Sequence, residues 1–142
     1  MQAKRTIEDE AVITLLKTID HVNRITTEAM EPFGITSAQY NVLRILRGAG
    51  NEGLPTLELA DRMVVHSPGI TRMIDRLEKK KLVRRIRSKK DRRVVNCMIT
   101  EKGLKLLSQM DQPVSEMNKK IVQNLDSKQL DQLVTLLDRM RE

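Results

Sequence analysis

Aromatic side chains are nearly missing from this chain: one phenylalanine, Phe33, one tyrosine, Tyr40, and no tryptophan in 142 residues. Proteins that hold single-stranded nucleic acid stack its bases on aromatic rings, so this scarcity argues against that mode. Cysteine is just as rare. Cys97 alone allows no internal disulfide, which points to a reducing, cytoplasmic setting. No apolar run approaches the roughly 20 residues that a membrane span requires. The opening residues Met1 to Glu10 contain no apolar h-region, so no secretory signal is expected. Metal-ligand spacing is also lacking: His21 and His66 stand far apart, with one distant cysteine, and read as solvated or core-edge histidines. Neither a metal nor a cofactor is expected. No nucleophile–base pair supports an enzyme. The segment from Gly48 to Gly53 matches G-x-G-x-x-G, yet a helical pattern precedes it and Leu54-Pro55 follows, so it reads as a plain loop.

Positive charge is concentrated in one place. From Lys79 to Arg93 ten side chains are basic and one, Asp91, is acidic. The whole chain has 26 Lys+Arg and 19 Asp+Glu, so outside this window 16 basic residues face 18 acidic ones. More than the entire net charge of +7 therefore sits in one short segment. A positive field this concentrated suits a polyanion, because neutralising phosphates releases condensed counterions. Leu82, Val83, Ile86, Val94 and Val95 are interleaved with the cations, a pattern that a disordered basic tail would not show.

Apolar residues recur at steps of three and four through Ile7, Ala11, Leu15, Ile19, Val22, Ile25 and Ala29, which predicts a helix ending near Pro32 and Gly34. A second helix is expected from the Thr36/Ser37 cap to the glycine-rich break. A short third is expected with Thr56 as its N-cap. Ser67 and Pro68 read as the N-cap and first residue of a fourth helix, which puts Ile70, Met73, Ile74 and Leu77 on one side. Two strands should follow, Val83 to Arg87 and Val94 to Ile99, joined by a charged tip at Ser88 to Arg92. Thr100 then caps a long helix that Pro113 should kink. A last helix is expected to begin at Asp126 or Ser127, where Asp126 with Gln129 reads as a capping box. The expected fold is mainly α with a small two- to three-stranded β-wing.

Two short helices joined tightly, the second with a polar outer face, describe a helix-turn-helix. Only the major groove admits a helix and displays a distinct edge for each base pair. The residues placed to read it are Ser67, Pro68, Gly69, Thr71, Arg72 and Arg76. Arg72 can pair bidentately with guanine. The ribbon adds a wing whose cations Arg87, Lys89, Lys90, Arg92 and Arg93 would grip flanking DNA; a narrow minor groove attracts inserted arginine. Asp91 cannot favour phosphate and reads as the ion-pair partner that orients an arginine.

The run from Ser67 to Lys79, followed by Leu82-Val83-Arg84-Arg85, resembles the recognition-helix signature of the MarR family. Asp91-x-Arg93 with Ile99-Thr100-x-x-Gly103 resembles that family's wing motif, and Thr56-Leu57-x-Leu59-Ala60 fits the preceding helix. The resemblance implies a winged helix-turn-helix transcription regulator that works as a homodimer. Residues 35–103 would bind double-stranded DNA, and residues 1–34 and 104–142 would interlock across a two-fold axis. A repressor role on a pseudo-palindromic operator, and release by a small-molecule effector, come from the resemblance alone. One departure is Lys81, where many members have glycine at the end of the recognition helix. Another is the first helix, which lacks the reactive cysteine of redox-sensing members.

Other readings compete. A non-specific architectural protein would bind all duplexes alike with steep salt dependence. Cys97 on an inward strand face reads as a small core residue, and the eight methionines as core filler. His21, Tyr40 and Arg44 could line an effector crevice, although ordinary packing would also account for them.

Overall fold

The computed structural model describes residues 3–142. Helix α1 spans Ile7–Met30 and starts at a reciprocal box, in which the Thr6 hydroxyl accepts from Asp9 N at 3.1 Å and Asp9 accepts from Thr6 N at 3.0 Å. Three acidic residues in its first turn complement the positive end of the helix dipole. A single turn of 3-10 helix, Glu31–Phe33, carries Pro32 and ends the run. Helix α2, Ser37–Ala49, opens on the Thr36–Gln39 box and buries Val42, Leu43 and Leu46. After a second 3-10 turn come strand β1, Leu54–Pro55, and helix α3, Thr56–Arg62. Helix α4 is Ile70–Lys79, strands β2 and β3 are Val83–Arg87 and Val95–Ile99, and helices α5 and α6 are Glu101–Ile121 and Ser127–Met140.

The strands form one antiparallel sheet in the order β1-β3-β2. Val83 pairs with Ile99 and Arg87 with Val95, while Leu54 adds the third strand opposite Cys97. The side-chain period of two turns Val83 and Cys97 inward, where both are fully enclosed. The core gathers Leu43 and Leu46 of α2, Leu59 of α3, Ile74 and Leu77 of α4, and Leu107 and Met110 of α5. It lies between the sheet and these helices, so α4 and the β2–β3 ribbon share one scaffold. Gly103 lets α5 approach the sheet: a Cβ there would lie 2.5 Å from the Leu82 carbonyl oxygen.

Three boundaries differ from expectation. Helix α4 begins at Ile70, with Gly69 rather than Ser67 as N-cap and Pro68 outside the helix. Gly69 has φ +97°, ψ 29°, close to the third position of a type II turn that favours proline just before it, so Pro68-Gly69 forms a turn instead of a first helical turn. Helix α3 starts at Thr56 itself, with Pro55 as N-cap; the Thr56 hydroxyl faces the Cys97 sulfur at 3.8 Å and does not cap. Val94 precedes β3, because its N–H and carbonyl close the hairpin, to Asp91 O at 3.0 Å and from Ser88 N at 2.8 Å. Helix α5 runs through Pro113 as one element, its Thr100 hydroxyl accepting from Gly103 N at 3.1 Å.

The two ends of the chain contribute little to this core. Helix α1 buries only Met30, and α6 buries nothing. Leu16 of α1 and Val134 of α6 are both 59% exposed, on helices with pronounced apolar stripes. No helix among the described residues is long and apolar enough to cross a membrane.

Candidate nucleic-acid interface

Helix α4 divides cleanly. Ile74 and Leu77 are fully buried, whereas Thr71, Arg72, Asp75, Arg76 and Lys79 are exposed. The inner pair sits three residues apart, which puts the charged set on the opposite face. Ser67, Pro68, Gly69, Arg72 and Arg76 border one open concavity of about 500 Å3 at the start of the helix. Among the described residues, the Arg72 and Arg76 guanidinium groups have no hydrogen-bond or ion-pair partner in the chain. Free guanidiniums on a projecting helix can meet base edges and phosphates without first breaking an internal contact.

The far end of α4 closes in a Schellman motif. Leu82 N donates to Leu77 O at 3.0 Å and Lys81 N to Glu78 O at 2.9 Å. This places Lys81 at φ +63°, the only described non-glycine residue with positive φ. The helix therefore ends as it would with glycine, and the lysine takes the left-handed strain. Leu77 and Leu82, brought together by the motif, are both buried.

At the tip of the ribbon, the Ser88 hydroxyl accepts from Lys90 N at 3.2 Å and Asp91 N at 3.3 Å. Asp91 accepts from Arg93 N at 3.0 Å and Nε at 3.1 Å. Those bonds, first from the guanidinium and then from the backbone, hold the Asp91 carboxyl below its usual range. Arg87 donates to the Arg92 carbonyl at 2.6 Å. The Lys89, Lys90 and Arg92 side chains remain unpaired among the described residues, so of the two tip arginines Arg92 is the one left free.

Charge and spacing did not single out Arg85, yet it joins the two halves of this surface. From β2 its guanidinium reaches Asp75 at 2.7 Å and Glu78 at 3.3 Å, and it donates to the Thr71 carbonyl at 3.3 Å. Its backbone N–H donates to the second Glu78 oxygen at 3.1 Å. Burial draws its pKa down, but the hydrogen bond and charge of Asp75, with Glu78, outweigh this and raise it overall. The available signal was alternation: Val83 and Arg85 share one face of β2, so an arginine on the inward face had to find acids on the helix packed against it. A second cross-tie joins α2 to α5, where Arg47 grips both oxygens of Asp111 at 3.0 Å.

Tyr40 and Arg44 line a crevice of about 810 Å3 bounded by α1, α2, the α3–α4 link and α5. The Tyr40 hydroxyl accepts from Arg44 at 3.0 Å, and Val64 N donates to the Asn41 side chain at 2.8 Å across the crevice floor. His21 does not line it. Val22 and Thr26 do, and His21 lies about 100° round the helix from Val22, on the exposed side. At the Gly48–Gly53 loop a helix enters and a strand leaves, the reverse of a dinucleotide-binding turn.

Known proteins share this fold. The MarR family sequence profile matches residues 35–95. A crystallised MarR transcription factor from Planctomyces limnophilus is 36% identical, with TM-score 0.74 over 96% of this chain and 98% of that one. A mutant MarR from E. coli, solved complexed with operator DNA, is 28% identical, with TM-score 0.81 over 89% of this chain and 90% of that one. The transcriptional repressor MdtR of Bacillus subtilis is 43% identical over 76 residues, 54% of this chain; the match spans about half (48%) of that repressor's length. Motifs, winged-helix geometry and near-complete overlap with a relative above 30% identity agree: the chain belongs to the MarR family.

Proposed function

We propose that this protein is a homodimeric, sequence-specific transcription regulator of double-stranded DNA, acting as a cytoplasmic repressor and without catalytic activity. The observation that carries this is the surface on which unpaired Arg72 and Arg76 of α4 and unpaired Lys89, Lys90 and Arg92 of the wing project from one rigid scaffold. Helix α4 supplies Thr71, Arg72 and Arg76 to the major groove, with Ser67, Pro68 and Gly69 in a turn small enough for close backbone approach. The wing lays Arg87, Lys89, Lys90 and Arg92 along the flank, and Asp91 sets the course of Arg93. The operator complex of the E. coli relative and the repressor role of MdtR support the DNA target and its sign.

The uncovered stripes of α1 and α6 support the dimer, since two copies can bury them against each other. We assign dimerisation to residues 1–34 and 104–142, of which Met1 and Gln2 lie outside the described residues, and DNA binding to residues 35–103. Two α4 helices about 34–36 Å apart would match successive major grooves of a pseudo-palindrome. The Tyr40–Arg44 crevice is the effector site in this reading. An effector weakens DNA binding only if it binds the DNA-incompetent arrangement more tightly.

The test is competition binding. The duplex upstream of the protein's own gene, narrowed by footprinting, is measured against random duplex at one salt concentration. Preference of at least about a thousandfold is expected. Equal binding to both would establish the architectural alternative instead.

A further inference from the structure

Helix α4 is fastened at its C-terminal end. Three consecutive carbonyl groups there, of Lys80, Lys81 and Leu82, all accept from the start of α5. Lys102 Nζ donates to Lys80 O at 2.9 Å, the Thr100 hydroxyl to Lys81 O at 2.7 Å, and Thr100 N to Leu82 O at 3.0 Å. The same hydroxyl accepts from Gly103 N, so one oxygen closes the end of α4 and opens α5. Lys80 also reaches the other way: its ammonium donates to the Gly34 carbonyl, at the turn between α1 and α2. The bonds therefore run in series from α5, through the base of α4, to the end of the first dimerisation segment.

Neither lysine forms an ion pair among the described residues. A cation at the carbonyl end of a helix meets the negative end of its dipole, and an ionised donor makes the stronger kind of hydrogen bond. Both ammonium groups are thus engaged by backbone, unlike those of Lys89 and Lys90 on the wing. Packing through buried Ile74 and Leu77 seats α4 on the core, but apolar contact is non-directional and leaves the pitch of the helix to hydrogen bonds. The Arg85 clamp ties α4 to the wing, whereas the two lysines tie it to the dimerisation helices. Arg72 precedes Lys80 by eight residues, roughly 12 Å along the axis at about 1.5 Å per residue. A tilt of about 10° about the fastened end displaces Arg72 by about 2 Å, several times the roughly 0.5 Å that a positioned contact tolerates.

We propose that Lys80 and Lys102 are positioning residues, which transmit the setting of the dimerisation helices to α4 and so determine the half-site spacing that the dimer accepts. The inference rests on the DNA-binding dimer proposed above. It gives two lysines a part in specificity without any contact to DNA.

In the test, the footprinted operator is compared with versions one base pair longer and one shorter at its centre, a change of about 3.4 Å and about 35° between half-sites. Wild type should lose at least about tenfold in affinity on either altered duplex. In Lys80→Met and Lys102→Met this penalty should shrink at least about threefold, because a looser helix adapts, while the salt slope stays as in wild type. Lys102→Arg keeps a charged donor and should restore the wild-type preference. Without DNA, the amides of Lys81 and Leu82, which close the end of α4, should exchange at least about threefold faster in both methionine variants. Both lysines are exposed, and the melting temperature of each variant checks its fold. The inference is overturned if spacing preference or amide exchange is unchanged in either methionine variant, or if Lys102→Arg behaves like Lys102→Met. It also falls if the salt slope drops by about 0.9 for each lysine removed, the mark of a phosphate contact. A wild type indifferent to spacing sinks the dimer reading and this inference together, whereas a selective wild type with unaltered variants sinks the inference alone.

Discussion

Replacing Arg85 by alanine should uncouple the wing from the recognition helix. The guanidinium is 25% exposed, and its partners Asp75 and Glu78 are 51% and 43% exposed. An exposed pair contributes about 0–1 kcal/mol, and breaking a fully buried one costs about 3–5 kcal/mol. This half-solvated cluster, with its extra bond to the Thr71 carbonyl, falls between, at about 1–2 kcal/mol. For a chain of this size that is a fall in melting temperature of about 3–7 °C. The effect on DNA binding has a separate cause. Asp75 lies three residues after Arg72 on the same helical face, so once Arg85 is gone it can recruit the Arg72 guanidinium. Operator affinity, measured by fluorescence anisotropy well below the melting temperature, should fall about tenfold, and more than affinity for random DNA. Arg85→Lys keeps the charge but not the fork, and should give an intermediate result. Unchanged melting and unchanged operator affinity in Arg85→Ala would refute the clamp. A lower melting temperature with selectivity intact would leave the clamp standing and dismiss the recruitment of Arg72.

Four shorter tests follow from the same geometry. Arg72→Ala should cost about 1–3 kcal/mol on the operator and relax base preference, whereas Arg92→Ala should weaken all duplexes alike and lower the salt slope by about one, both seen in binding curves at several salt concentrations. Lys81→Gly should stabilise the protein by up to about 1 kcal/mol in urea unfolding, because glycine accepts the left-handed φ; a loss of stability would mean that the lysine makes a compensating contact. Val134→Asp puts a charge on the uncovered stripe of α6 and should shift the mass measured by light scattering from dimer towards monomer. Burial pushes the Cys97 thiol above its ordinary pKa, against weaker opposing contacts from Thr56 and Arg85, so it should resist alkylation at neutral pH until the protein unfolds.

Periodicity, caps and charge were enough to locate most elements here, because each is a local property. Helix α1 follows from apolar steps of three and four, the cap expected at Thr36/Ser37 falls on Thr36, and the Asp126–Gln129 box appears in the structure with both bonds made. Strand β2 matches its expected span, and the basic window resolves into the end of α4 and the ribbon. Sequence also marked which face of α4 is outward, since Ile74 and Leu77 could satisfy only a core. It misjudged the entry to that helix: Ser-Pro is a good start in isolation, but the following glycine takes a left-handed turn that local propensity does not reveal.

What tertiary structure alone decided are the contacts between residues distant in the chain. The clamp of Arg85 on Asp75 and Glu78, the tie of Arg47 to Asp111 across α2 and α5, and the third strand supplied by Leu54–Pro55 all depend on how elements pack. So does the exclusion of His21 from the Tyr40–Arg44 crevice, which turns on one step of helical rotation. A single chain records the periods of its helices and strands in nearest neighbours. The meeting of side chains 10 or 64 positions apart is set only when the core closes, because burial then selects one packing among many that satisfy the same local pattern.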